Sequence, residues 1–328
     1  MASPLKKQDY PRLTDQVRRT ILSPMSLLDP VGKQYVPDAR ESIVSPEEDS
    51  DPIGDDAYSP LKGIVHRYPD RVLLKITDIC SVYCRFCFRK EMVGQGAGML
   101  SGEEIEAALA YVRADENIRE VILTGGDPLT LSNRRMAELF ARFESIPHLD
   151  IIRIHTRSPI VQPQRVDDEL TNLCASVKKA LYVVLHVNHA QEIDVSVEAA
   201  LQKLARSGAV LLSQSVLLKD VNDDAATLEA LFRKLLANRV KPYYLHHPDL
   251  APGTSHFRVS IKKGQDIMKV LRGRLSGLGY PTYVLDLPGG YGKMPLTPDY
   301  VEELEGGTYR IEDYRGEKHL YPPKGKAA

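Results

Sequence analysis

Seven runs of apolar, largely β-branched residues recur along the chain about every thirty residues, and this spacing restricts the fold more than any other feature. They are RVLLKIT (71–77), EVILTG (120–125), IIRIHT (151–156), LYVVLHV (181–187), AVLLSQSVL (209–217), KPYYLHH (241–247) and PTYVLDL (281–287). Between them lie stretches with helical spacing at 101–114, 133–144, 196–208 and 225–238. Ser101, followed three residues later by Glu104, opens the first with a capping box, and Gly208 and Asn238 close the last two. A strand can be followed by a parallel neighbour only through a long crossover, usually a helix, so the alternation predicts a parallel sheet. Six or seven such units suit a barrel or partial barrel better than a doubly wound sheet. No glycine fingerprint follows the first strand, as a dinucleotide fold would require. The expected architecture is α/β, a barrel or partial barrel that begins after about residue 60. Residues 1–60 form an N-terminal helical and extended arm, and 299–328 a short C-terminal tail. In such a barrel, function belongs to the loops after the strands.

The arm is rich in Pro, Asp, Glu and Ser, with short apolar runs at Ile21–Leu22 and Ser26–Leu28. That composition predicts a segment laid over a core rather than one forming its own. Across the whole chain 43 Lys and Arg face 44 Asp and Glu, a net charge of -1. No basic stripe marks a nucleic-acid surface. The opening residues lack the apolar region of a signal peptide, and no apolar run reaches the ~18 residues of a membrane span. Three of the four cysteines fall within eight residues, whereas a disulfide framework would spread them. A reducing cytoplasm is therefore expected, with Cys174 a small buried hydrophobe.

Cys80, Cys84 and Cys87 directly follow the first strand. Thiolates at this spacing suit an iron–sulfur cluster, and three ligands on a four-iron cluster leave one iron open. Zinc completed by His66 or His155, or three structural cysteines, are the competing readings. After the second strand, Gly125 and Gly126 let a ligand approach the backbone and Asp127 can accept from an ammonium group; read alone, the motif is a strand-to-helix turn. Arg157, after the third strand, faces the same ligand. After the last strand, Lys293 follows Gly289, Gly290 and Gly292. A pyridoxal phosphate enzyme needs one such lysine, although an isolated glycine–lysine loop is more often a surface turn.

The cysteine spacing, with Phe86 before the last cysteine, resembles the radical S-adenosylmethionine enzymes. LPGGYGK resembles the segment carrying the pyridoxal lysine of the lysine 2,3-aminomutases, a branch of that superfamily. The likeness runs from about Leu61 to Pro298 through HRYPDR, TGGDPL, RIHTRSPIVQP, LHVNH, LSQSVLLKDVND and HFRVSIKKG, and it implies a partial (β/α)6-type barrel over residues 61–298. It implies a [4Fe-4S] cluster on Cys80, Cys84 and Cys87, S-adenosyl-L-methionine at Gly125, Gly126, Asp127 and Arg157, and pyridoxal 5'-phosphate on Lys293. Arg67 and Tyr68 would lie near its phosphate, and Gln214 between the two cofactors. Arg89 would grip the substrate carboxylate, while Asp249 and Asp286 would bind the ε-ammonium of L-lysine. Two carboxylates in one pocket repel each other unless a cation lies between them, which agrees with a basic substrate.

The implied reaction moves the α-amino group of L-lysine to the β-carbon, by way of a 5'-deoxyadenosyl radical and a pyridoxal phosphate imine. A reducing donor such as flavodoxin or ferredoxin is implied as partner. Two departures from the longer aminomutases stand out: Phe86 where they often carry His, and His246-His247-Pro248 before Asp249. The second bears on side-chain specificity and keeps arginine open as substrate. A non-catalytic iron–sulfur sensor is the rival from another class. The tail has no cysteine, so no zinc is expected there, and assembly stays open, a homo-oligomer included.

Overall fold

A computed structural model describes residues 12–22, 28–94 and 98–322. Parts of the arm (1–11 and 23–27), of the cysteine loop (95–97) and of the tail (323–328) lie outside the described residues, and with them most of the run at Ser26–Leu28.

Nine strands form one sheet whose neighbours follow chain order. They are β1 (Ile64–Tyr68), β2 (Arg71–Thr77), β3 (Glu120–Gly125), β4 (Ile151–Thr156), β5 (Ala180–His186), β6 (Val210–Val216), β7 (Lys241–His246), β8 (Thr282–Leu287) and β9 (Gly292–Pro295). Strands β2 to β8 are parallel, while β1 and β9 add antiparallel edges at either end. The edges do not pair with each other, so the barrel is open. Six complete βα units and a seventh parallel strand match the partial barrel expected.

The helices are α1 (Asp15–Thr20), α2 (Gly102–Ala114), α3 (Asn133–Glu144), α4 (Ser158–Val161), α5 (Asp168–Ser176), α6 (Val195–Arg206), α7 (Ala225–Ala237) and α8 (Ile261–Arg272). The capping box forms as expected: Ser101 Oγ accepts from Glu104 N–H, and Glu104 Oε2 accepts from Ser101 N–H. Gly208 adopts a left-handed φ of 88° after α6, but after α7 that conformation falls on Arg239 rather than Asn238. Helix α8 was hidden by Gly264, a poor helix former. The glycine is there because a Cβ would run into the Tyr283 ring.

Strand periodicity explains why the barrel has a working interior. Val121, Leu123, Ile152, Ile154, Val183, Leu185, Leu211 and Leu245 belong to the buried core between sheet and helices. Each such burial contributes ~1.5–3 kcal/mol. The alternate positions Glu120, Thr124, Arg153, His155, Gln214 and His246 are polar and line a central cavity of about 570 Å³. Cys174 is buried in the same outer core.

The arm does more than lie over the barrel. Val17, Val31 and Tyr35 bury themselves with Val82 of the cysteine loop and Val161 of α4. The tail is a three-stranded antiparallel sheet of β10 (Val301–Leu304), β11 (Thr308–Glu312) and β12 (Lys318–Tyr321). Among the described residues, no helix is long and apolar enough to cross a membrane.

Candidate active site

All fourteen residues singled out from the sequence line the one cavity at the C-terminal ends of the parallel strands. Their side chains do not all point where the sequence suggested.

The cysteine loop leaves β2 and passes directly over the turn after β3. Gly126 N–H donates to Thr77 O at 2.6 Å and Asp127 N–H to Ile79 O at 2.8 Å. Gly125 has a φ of 110°, and a Cβ on Gly126 would strike Ile79 backbone. What presses on these glycines is thus the cysteine loop itself. Burial raises all three thiols, with Cys87 pushed up to about 11. Burial outweighs the nearby guanidinium and ammonium groups at these thiols, and a soft metal would supply the further positive charge that holds all three as thiolates. Three sulfurs on one zinc would lie about 3.8 Å apart. Among the described residues, the three sulfurs are not gathered within 4.8 Å of one another, and no histidine is gathered with them. His66 instead bonds Tyr111. Three soft thiolates suit a four-iron cluster with one open iron, whereas a closed zinc site takes four ligands.

Two of these residues are already engaged by other parts of the chain. The Asp127 carboxylate is not free to receive an ammonium: Oδ1 accepts from Leu129 N–H and Thr156 Oγ1, and Oδ2 from Arg157 and Ser158 N–H. It organises the turns after β3 and β4, so any contact to a ligand's amino group falls to the backbone. Arg157 lines the cavity with its guanidinium already engaged. Its Nη1 donates to Cys84 Sγ at 2.8 Å, and Nη2 to Glu192 Oε2 and Gln34 Oε1, both at 2.6 Å.

The other end of the cavity is anionic. Lys293, on β9, reaches both oxygens of Asp286 at 2.6 and 2.7 Å. His246 Nδ1 lies 3.3 Å from Asp286 Oδ2. Burial opposes the Asp286 charge, yet His246 and Lys293 hold that carboxyl far below the usual range. Asp249 goes the other way: burial first, and the Asp286 charge second, push it up to about 7. Its Oδ1 is buried with no hydrogen-bond partner. His155 also sits here, its Nε2 unpartnered. Burial, then the charges of Arg153 and Lys293, keep this imidazole neutral.

The glycines before Lys293 make room for two tyrosines, one from the arm and one from β1. A Cβ on Gly290 would enter the Tyr58 ring, and one on Gly292 would lie 2.6 Å from the Tyr68 hydroxyl. Tyr68 Oη in turn accepts from Lys293 N–H at 2.9 Å. From the same arm segment, Asp55 enters the site. Its Oδ1 is 3.1 Å from Arg67 Nη2, and its Oδ2 is 2.8 Å from Arg89 Nη2. Arg89 also donates to Thr124 Oγ1 at 3.2 Å. Gln214 lines the cavity midway along the sheet, on β6.

Sequence reasoning missed Asp55, His155 as a site residue, Glu192 and Arg71, whose guanidinium lies 3.8 Å over the Tyr68 ring. Arg71 could have been taken from HRYPDR, the same motif that supplied Arg67 and Tyr68. Asp55 had no signal, being one acid among many in the arm.

A sequence profile described as the Radical SAM superfamily matches residues 74–231, and one described as Lysine-2,3-aminomutase matches 268–316. The chain is 41% identical over 309 residues to a putative L-lysine 2,3-aminomutase of Aquifex aeolicus, covering 94% of this chain and 83% of that one. It is 42% identical over 297 residues to the L-lysine 2,3-aminomutase of Clostridium subterminale, covering 90% and 71%. A glutamate 2,3-aminomutase of Clostridioides difficile is 37% identical over 304 residues, covering 90% and 72%.

Proposed function

Since the chain belongs to the lysine 2,3-aminomutase family of the radical SAM superfamily, we propose that it moves the α-amino group of L-lysine to the β-carbon. One observation carries the choice of substrate: Asp249 and Asp286 share the cavity end, and a buried carboxylate there has an unpartnered oxygen. Such a pair needs a cation between its members, and the ε-ammonium of lysine supplies one. The side-chain carboxylate of glutamate would meet like charge.

Cys80, Cys84 and Cys87 would hold the [4Fe-4S] cluster, and three thiol donors lining one cavity fit it. Lys293 would hold pyridoxal 5'-phosphate, with Arg67, Arg71 and Tyr68 at the side from which its phosphate is gripped. The turn at Gly125 and Gly126, with Gln214, would border S-adenosyl-L-methionine. When bound, these groups supply a hydrogen-abstracting radical and a carrier for the migrating nitrogen.

The chain's own residues do the rest. Arg89 grips the α-carboxylate bidentately, its guanidinium held at the correct angle by Asp55 and Thr124. Asp286 and Asp249 would receive the substrate ε-ammonium, Asp286 through the carboxylate that Lys293 Nζ reaches in the free chain and Asp249 through its unpartnered Oδ1. Both ends of a flexible substrate are then fixed, so its α- and β-carbons are presented in one geometry. Within the arm of 1–60, the described residues 12–22 and 28–60 would cover the barrel 61–298 and exclude water, with 299–328 as a tail. A small reducing protein of the flavodoxin or ferredoxin type would deliver the electron, in the cytoplasm.

The test is anaerobic turnover of reconstituted protein on lysine, arginine and glutamate, each alone. Lysine should have the highest kcat/KM by at least tenfold. A preference for arginine would retain the chemistry and overturn the substrate, and one for glutamate would overturn the role of the two aspartates.

A further inference from the structure

Arg157 has a place in the site that neither substrate binding nor the fold accounts for. It stands just after β4, and its guanidinium is buried together with the Glu192 carboxylate (side chains 7% and 2% exposed). Burying two charges is costly, so a pair kept there has a use beyond stability. The guanidinium lies between the rings of Tyr35 and Phe86, at 4.7 and 5.4 Å. One side of the fork meets Glu192 and Gln34, and the other meets Cys84 Sγ. Its Nε is buried and has no partner. The group is therefore oriented by the sulfur and by Glu192, not by the maximum number of hydrogen bonds.

We propose that Arg157 is a positioning residue that raises the reduction potential of the cluster held by Cys80, Cys84 and Cys87, braced by Glu192 and by Gln34 of the arm. The inference rests on the reading of these cysteines as cluster ligands. The argument from charge is direct. Adding an electron to the cluster places more negative charge on its sulfurs. A fixed cation donating to one of those sulfurs stabilises the reduced form more than the oxidised form. Glu192 acts in the opposite sense, but it meets Nη2 while Cys84 meets Nη1, so the positive end of the pair faces the sulfur. Cys87 is served differently, by the backbone N–H of Arg89. Gln34 joins the arm to this device twice, through its side chain and through its carbonyl, which accepts from Arg85 N–H at 2.8 Å.

The experiment is a potentiometric titration with dithionite and mediator dyes of the reconstituted, S-adenosylmethionine-free protein, with iron content and visible absorbance recorded on the same samples. The variants are Arg157→Lys, which keeps the charge without the fork, and the double variant Arg157→Gln with Glu192→Gln, which removes both buried charges and so avoids leaving one unpaired. The double variant should load iron like the parent and be reduced about tenfold less favourably, ~59 mV for one electron. Arg157→Lys should shift in the same direction by less. Full iron loading with both potentials unchanged overturns the proposal. If the double variant loads no iron, Arg157→Lys decides alone: a lowered potential supports the proposal and an unchanged one overturns it. A parent protein that binds no four-iron cluster would instead remove the reading of the cysteines, a separate result.

Discussion

Lys293 Nζ lies 2.6 and 2.7 Å from the two carboxylate oxygens of Asp286, which His246 approaches from the other side at 3.3 Å. The lysine expected to carry the cofactor and an acid expected to bind the substrate are therefore direct partners. The protein places its own ammonium where the account puts that of the substrate.

Replacing Lys293 separates the two roles. Lys293→Ala should lose turnover by on the order of a thousandfold or more, while iron content and cluster absorbance stay at parental values. Borohydride reduction of the parent should fix pyridoxal phosphate on the peptide containing Lys293, as read by mass spectrometry, and fix none on the variant. Loss of the cluster as well would make Lys293 a structural residue.

Asp249 gives a dependence on pH. Its carboxyl is pushed up to about 7, so in the free enzyme it is protonated below that pH and cannot accept a cation's proton. The kcat/KM for lysine should rise as pH increases through about 7. Asp249→Asn should flatten that rise and lower kcat/KM by roughly a hundredfold, or about 3 kcal/mol, for a lost charge-assisted bond.

The same substitution should stabilise the fold. The folded-state value lies above the ordinary 3.8, so the folded protein binds the proton more tightly, and stability is lost as pH rises from about 4 through about 7. Without substrate, Asp249→Asn should melt above the parent at pH 8, with the advantage shrinking toward pH 5 in thermal denaturation.

Asp55 ties the arm to the two arginines. Asp55→Ala leaves Arg67 and Arg89 buried without their shared counter-charge, a loss of about 3–5 kcal/mol for a broken buried pair. The expected result is a clear drop in Tm together with a raised KM for lysine. Asp55→Glu should recover part of both. A normal KM in a destabilised Asp55→Ala protein would confine the residue to folding.

Much of this site was legible before any coordinates, and the reason is local. The strand pattern placed the cysteine loop, the glycine pair and the lysine loop at the same end of the barrel. Alternation along each strand then sent Arg153, His155 and Gln214 inward. What could not be read was the direction of a side chain whose partner is distant in sequence. Arg157 is separated from Gln34 by 123 positions and from Cys84 by 73, and its bonds to them set where its guanidinium points. Asp127 looked like a ligand for an ammonium, but its four acceptor sites are filled by a helix start and a neighbouring strand end. Asp55 was lost in an acidic stretch because only docking of the arm gives that carboxylate two arginines.

The account is tested most directly by anaerobic incubation of the reconstituted protein with L-lysine deuterated at the β-carbon, S-adenosylmethionine, pyridoxal phosphate and dithionite, with products read by mass spectrometry. It predicts β-lysine, with deuterium also found in S-adenosylmethionine or 5'-deoxyadenosine. Failure to form any β-lysine, with the cluster and the pyridoxal phosphate both in place, would contradict it.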